Sequence, residues 1–323
     1  MLQDNFARKF HYVRLSLTER CNFKCQYCLP HGYIKNSCNE PLTLDELRNL
    51  MAGLVDLGIW KVRLTGGEPT LRRDLTEIMT MIRSFPQIQQ LALTTNGYKL
   101  RTKLDEYLAH GLTHLNISVD SLKREQFQEI TGVDRLPQIL DAVDYAMKLP
   151  LMRVKLNAVL LQSTPKELDF FLEYVSTRKL DIRFIELMET GDNHAYFKQN
   201  YLPAQELITK LQSREWTTTP APIGSGPAKM FSHPDYKGQV GVIAPYSKDF
   251  CTGCNRLRFS QNGALRLCLF GEGSYTLRHL LQSPEQKPEL IATILQALTT
   301  KPKQHLLHAG NSGNLINLSQ IGG

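Results

Sequence analysis

Six of the seven cysteines fall into two groups of three. Cys21, Cys25 and Cys28 stand in the run RCNFKCQYCLP with C-x3-C-x2-C spacing. Cys251 and Cys254 form a C-x2-C pair, and Cys268 follows after thirteen intervening residues. Thiolates are metal ligands. A structural zinc site takes four protein ligands, and a cluster that only carries electrons usually takes four cysteines. Three thiolates with no fourth beside them describe a centre that keeps one coordination position open. In a cubane cluster three cysteines hold three irons, and the fourth is left for a substrate or cofactor. Zinc with a more distant ligand is the alternative at both groups. For the second group His233, Asp249 and His279 are the candidates for that ligand. Cys38 stands alone and reads as a free thiol.

The elements that must position these groups follow from periodicity. Short β-like runs at 12–17, 61–65, 90–96, 114–120, 153–161 and 181–187 alternate with helical patterns near 43–58, 74–84, 101–110, 123–130, 136–148 and 165–177. Thr43 is placed as the N-cap of the first helix, with Glu46 at the capping-box position and Gly58 as a stop signal. Strands separated by helices imply a parallel sheet. Six strands are too few for a closed eight-stranded barrel, and the expected α/β fold is a partial (β/α)6 barrel resembling a TIM barrel rather than a doubly wound Rossmann sheet, a choice that periodicity alone leaves open. The first cysteine group follows the first strand, at the end where such folds place their chemistry.

After about residue 190 the pattern changes. The expected division is a barrel core over 1–190 and a C-terminal region over 191–323 that contains β structure and the second cysteine group. The stretch 217–229 is rich in Pro, Gly and small residues and reads as a loop or linker. QVGVIAPY and RLRFSQNGALRLCLF read as β structure, with Asn262-Gly263 marking a hairpin that brings Cys268 back beside Cys251 and Cys254.

Arg14, Arg63 and Lys155 lie inside β-like runs, where a long basic side chain is out of keeping with a buried sheet. Facing a polar barrel cavity explains them, and guanidinium groups suit phosphate. Solvated strand positions or structural ion pairs are the plainer account of each alone. The formal charge of +7, from 38 basic and 31 acidic residues, favours an anionic partner. No apolar run is long enough for a membrane span, and MLQDNFARKF lacks the apolar stretch of a secretory signal. A cytoplasmic protein with reduced thiols is expected. No run of basic residues suggests a nucleic-acid tail. Trp60 and Trp216 are expected in core or surface roles only.

CNFKCQYC resembles the signature of the radical S-adenosylmethionine (SAM) superfamily, and LTGGEP (64–69) resembles its GGEP motif. The second cysteine group, the following RLR and the final IGG narrow the resemblance to the GTP 3′,8-cyclase family of molybdenum cofactor biosynthesis. It extends over essentially the whole chain. It implies two [4Fe–4S] clusters, one on Cys21, Cys25 and Cys28 with SAM on its open iron, and one on Cys251, Cys254 and Cys268 facing GTP. It implies SAM contacts from Tyr27, Gly67, Ser118 and Met188, and GTP contacts from Arg14, Arg63, Thr94, Lys155, Arg256 and Arg258. The tail NLSQIGG reads by itself as a frayed terminus. The resemblance implies instead that Gly322 and Gly323 reach the active site. It further implies an external electron donor and a next enzyme in the molybdopterin pathway, and it leaves room for a homodimer. Two other readings stay open: a radical SAM enzyme acting on RNA or peptide, and a zinc-holding protein that binds RNA.

Overall fold

Alternation of polar and apolar residues along each strand decides the fold. Val13 and Leu15, Val62 and Leu64, Leu91 and Leu93, Leu115 and Ile117, and Ile182 and Phe184 are all buried in one core cluster. Their neighbours Arg14, Arg63, Thr94, Asn116 and Arg183 point to the opposite face, because successive strand residues alternate sides. The computed structural model describes residues 2–35, 40–220 and 226–322. Cys38 and Gly323 lie outside them.

The six expected strands form in the expected order: β1 (Tyr12–Ser16), β2 (Lys61–Thr65), β3 (Gln90–Thr95), β4 (His114–Ser118), β5 (Arg153–Leu160) and β6 (Asp181–Glu186). Each is parallel to the next. The C-terminal region supplies β7 (Thr217–Thr219), β8 (Lys229–Ser232), β9 (Gln239–Ile243), β10 (Arg256–Phe259), β11 (Ala264–Arg266) and β12 (Tyr275–Thr276). Two of these extend the parallel set, β9 beside β6 and β10 beside β1. The sheet order is β12-β11-β10-β1-β2-β3-β4-β5-β6-β9-β8-β7, so its two edges are antiparallel additions and the barrel stays open. A short separate ladder pairs Leu2–Gln3 with Lys9–Phe10.

The segment 217–229 departs from the expected linker, because Thr217–Thr219 is an edge strand antiparallel to β8. Three consecutive β-branched residues favour extended backbone, and the neighbouring Pro and Gly masked that signal. The Asn262-Gly263 turn joins β10 to β11 as expected, with Gly263 at φ +82°.

Helices α1 (Leu44–Asp56), α2 (Leu75–Arg83), α3 (Leu100–Ala109), α4 (Arg124–Thr131), α5 (Leu136–Lys148) and α6 (Thr164–Ser176) lie between the six strands, and α7 (His194–Asn200), α8 (Ala204–Gln212) and α9 (Lys287–Thr299) follow. Both reciprocal bonds of the α1 capping box are made, Glu46 N to Thr43 Oγ1 and Thr43 N to Glu46 Oε2. Gly53 in mid-α1 lets α9 approach: a Cβ there would stand 2.9 Å from Leu290 Cδ2.

Candidate active site

The first cysteine group occupies the loop after β1. This loop is pinned from two sides. Lys24 N and Gln26 N donate to the carbonyls of Thr131 and Ile130 at the end of α4, each at 3.0 Å. On the other side, Gly67 N donates to Thr18 O and Glu68 N to Arg20 O, both at 2.7 Å. The GGEP turn must carry glycines here. Gly66 sits at φ +138°, and a Cβ on Gly67 would stand 2.3 Å from Arg20 O. Glu68, 1 % exposed, accepts from Thr70, Thr95 Oγ1 and Asn96 N, which fixes the end of β3. Asn96 in turn reaches Asn22 Oδ1 at 2.9 Å and Cys21 Sγ at 3.9 Å.

Cys21, Cys25 and Cys28 line a cavity of about 1010 Å3, together with all four residues expected to contact SAM: Tyr27, Gly67, Ser118 and Met188. Burial pushes the Cys21 thiol up to about 11 and that of Cys28 up to about 12, so the three need a cationic centre to be thiolates at neutral pH. Tyr27 O–H donates to Asp120 Oδ2 at 2.8 Å, and Asp120 Oδ1 accepts from Val159 N. Burial raises the Asp120 carboxyl to about 6. Asp120 and Asn96 carry no local mark in the sequence, whereas Glu68 belongs to the GGEP motif. Their role appears only where strand ends meet.

The second cysteine group lies at the other end of the barrel. Cys254 stands just before β10, and Cys268 returns after β11. With Cys251 they line a cavity of about 1300 Å3 that also holds Arg14, Arg63, Thr94, Lys155, Arg256 and Arg258, the six residues expected to contact GTP. Lys61 and Arg183 join them. That makes seven cations, and no Asp or Glu stands among the described lining residues. Register explains the concentration, since Arg258, Arg14 and Arg63 are successive partners across β10, β1 and β2. Lys61 and Arg183 were legible as basic residues at alternate strand positions, the same signal that marked Arg63. Arg63 Nη1 donates to Thr94 Oγ1 at 3.1 Å, whereas the buried Nε atoms of Arg63 and Arg183 have no hydrogen-bond partner. Burial, then Lys61 and Lys155, lower the His114 pKa to about 4, so this imidazole is neutral.

The two cavities abut. Thr94, Asn157, Ile185 and Met188 line both. The C-terminal tail runs along their junction. Ile321 is fully buried, Ser16 Oγ donates to Gln320 O, and Arg258 Nη1 donates to Gly322 O at 3.4 Å. Gly322 sits at φ +66°, where a Cβ would stand 2.3 Å from Thr65 Cγ2. Leu318 and Ser319 line the first cavity beside Cys28, and their backbone offsets part of the burial that raises its thiol.

His233, Asp249 and His279 do not line the second cavity. His233 packs against Trp216 and Tyr236 instead. Among the described residues no three Cys, His, Asp or Glu side chains gather as a single-ion site. Each thiol trio instead lines one of the two cavities, and Phe23 N donates to Cys21 Sγ at 3.5 Å, a contact of the kind that tunes cluster sulfurs. Both donor sets fit an iron–sulfur cluster with one open iron. No described helix is long and apolar enough to cross a membrane.

Residues 15–175 match the family model described as the Radical SAM superfamily, and residues 180–307 match the one described as Molybdenum Cofactor Synthesis C. A protein named GTP 3′,8-cyclase from Tolumonas auensis is 47% identical over 324 aligned residues, covering 100% of this chain and 96% of that protein. Proteins of the same name from Klebsiella pneumoniae (strain 342) and Stenotrophomonas maltophilia (strain K279a) are each 48% identical and cover 100% of this chain and 99% of theirs. The fold is similar to that of Streptococcus suis SuiB bound to S-adenosylmethionine, with a TM-score of 0.65 and 13% identity over 94% of this chain and 67% of that one. The radical SAM region carries one [4Fe–4S] cluster with SAM, and the second cluster belongs to the molybdenum cofactor synthesis region. With these two regions matched in sequence, and relatives aligned from end to end, the chain belongs to the GTP 3′,8-cyclase family of radical SAM enzymes.

Proposed function

We propose that this enzyme converts GTP to (8S)-3′,8-cyclo-7,8-dihydroguanosine 5′-triphosphate, joining ribose C3′ to guanine C8. The carrying observation is the junction of the two cavities at Thr94, Asn157, Ile185 and Met188. A ligand spanning from the second cysteine group to that junction brings its middle next to a ligand of the first.

Cys21, Cys25 and Cys28 hold the first cluster, and Cys251, Cys254 and Cys268 hold the second. When bound, the first cluster and SAM supply a 5′-deoxyadenosyl radical. Tyr27, Gly67, Ser118 and Met188 would hold SAM in the first cavity, with Met188 at the junction. Arg14, Arg63, Lys155, Arg256 and Arg258, with Lys61 and Arg183, seat the triphosphate through charge-assisted hydrogen bonds. Thr94 fixes the ribose between the two sites. Holding C3′ within reach of a reactive carbon centre and excluding water are the chain's main contributions, because such a radical takes hydrogen from almost any donor nearby. Gly322 closes the junction.

The barrel core over 1–190 is thus the SAM half, and 191–323 completes the substrate half. A cytoplasmic setting, an external electron donor, room for a homodimer and hand-over to the next molybdopterin-pathway enzyme complete this reading. Light scattering and a coupled assay test the last two.

Anaerobic turnover with reconstituted clusters, SAM, dithionite and GTP tests the function. Wild-type enzyme forms 5′-deoxyadenosine and the cyclised nucleotide together. Cys21→Ala forms neither. Cys251→Ala loses cyclisation. Cleavage of SAM with GTP left intact would sink the GTP assignment while leaving the radical SAM half standing.

A further inference from the structure

Lys301 lies just beyond α9 and is 4 % exposed. Lysine is almost never this buried without a counter-charge. Its ammonium donates to Leu267 O, the carbonyl directly before Cys268, and stands 5.4 Å from the centre of the Phe10 ring. Among the described residues it pairs with no carboxylate, unlike Lys155, Lys103 and Lys287. The anionic groups that act on it are the thiolates of Cys254 and Cys268.

Three other cations, Arg8, Arg256 and Arg258, act on the Cys254 thiolate, and each has another commitment. Arg8 is neutralised by Asp4 at 2.6 Å, and its guanidinium ties Cys251 O to the carbonyls of Pro302 and Lys303. Arg256 and Arg258 line the substrate cavity. Lys301 does not line that cavity. It approaches the cysteine group from behind, where a substrate phosphate does not reach it.

We propose that Lys301 is the fixed counter-charge of the second cluster: it compensates the thiolates of Cys254 and Cys268 and raises the reduction potential of the cluster they hold. A cluster's potential depends on its net charge and its surroundings, and a buried cation favours the more negative, reduced state. Lys301 is a positioning residue in this scheme and touches no substrate. The inference rests on the assignment of the second cluster to Cys251, Cys254 and Cys268.

The test uses the full chain with Cys21, Cys25 and Cys28 replaced by alanine, so that the second cluster is observed alone. Iron and sulfide are counted first. The midpoint potential then follows from redox titration monitored by electron paramagnetic resonance. Lys301→Gln keeps a donor for Leu267 O and removes the charge, whereas Lys301→Arg keeps the charge. The expected result is a lower potential in Lys301→Gln and a potential close to the parent in Lys301→Arg. A loaded Lys301→Gln cluster with the parent's potential overturns the proposal. Absence of iron from the parent with the first group removed overturns the cluster assignment instead.

Discussion

Tyr12 shows how a single residue can report the field of the substrate cavity. The side chain is buried, accepts a hydrogen bond from Arg14 Nε at 3.2 Å, and has the Lys61 ammonium 5.0 Å from its ring centre. Burial pushes its phenol up, and the guanidiniums of Arg63, Arg14 and Arg256 outweigh this and bring it down to about 7. A phenolate cancels one positive charge of the cavity and repels a triphosphate. GTP affinity measured by equilibrium binding from about pH 6 to about pH 9 is therefore expected to fall above neutrality, by at most about tenfold per pH unit. Tyr12→Phe removes that fall. A Tyr12→Phe profile as steep as the parent's would reject the assignment. The tyrosine was invisible as a functional residue in the sequence, because Tyr in a strand ordinarily reads as core.

The decisive element is the turn Leu318–Gln320. Asn317 before it is extended, at φ −148° and ψ 164°. Proline at 318 is thus sterically acceptable, since the residue before proline prefers that region. It also deletes the backbone N–H through which Leu318 acts on Cys28 while leaving that of Ser319. An N–H donor on a ligand sulfur stabilises the reduced cluster. With Cys251, Cys254 and Cys268 replaced by alanine, Leu318→Pro is expected to lower the first cluster's midpoint potential below that of Leu318→Ala, which keeps the N–H. Equal potentials in the two variants would show that the tail does not act through Cys28. The GGEP turn makes the same point about elements. The motif was legible, and its glycines line the cavity of the first cysteine group, but their immediate contact is backbone against the cysteine loop.

At the scale of the molecule, distant segments are locked by a few charged groups. Arg278 reaches back from the C-terminal region to α1, donating to Glu46 Oε1 at 2.8 Å and Oε2 at 2.9 Å. Gln282 adds a bond to the same carboxylate. Burial pushes the Glu46 carboxyl up, but the hydrogen bonds from Arg278, Thr43 N and Gln282 outweigh it and hold it at about 2, against an ordinary 4.5. A pKa depressed in the folded state gives stability that is present above the unfolded value and lost as pH falls toward the folded one. Glu46→Gln is expected to lose about 2 kcal/mol at neutral pH in urea unfolding, after discounting for solvent at the rim of the pair. The gap to wild type then narrows as pH falls from about 5 to about 2. A gap that stays constant over that interval would rule the ion pair out as its source.

The sequence by itself determined the chemistry and most of the scaffold. Ligand types and spacing do not depend on folding, so both cysteine trios were readable as open centres. Strand alternation is local, so the six parallel strands and the inward basic residues on them were readable too. Tertiary structure alone decided the rest. It placed the two cysteine groups at opposite ends of one barrel and added β9 and β10 to its parallel set. It also brought Thr94, Asn157, Ile185 and Met188 into a shared wall. Lys301 next to Cys254 and Leu318 next to Cys28 belong to the same class. These juxtapositions join residues far apart in the chain through sheet register and side-chain burial, and no periodicity within a single segment encodes them.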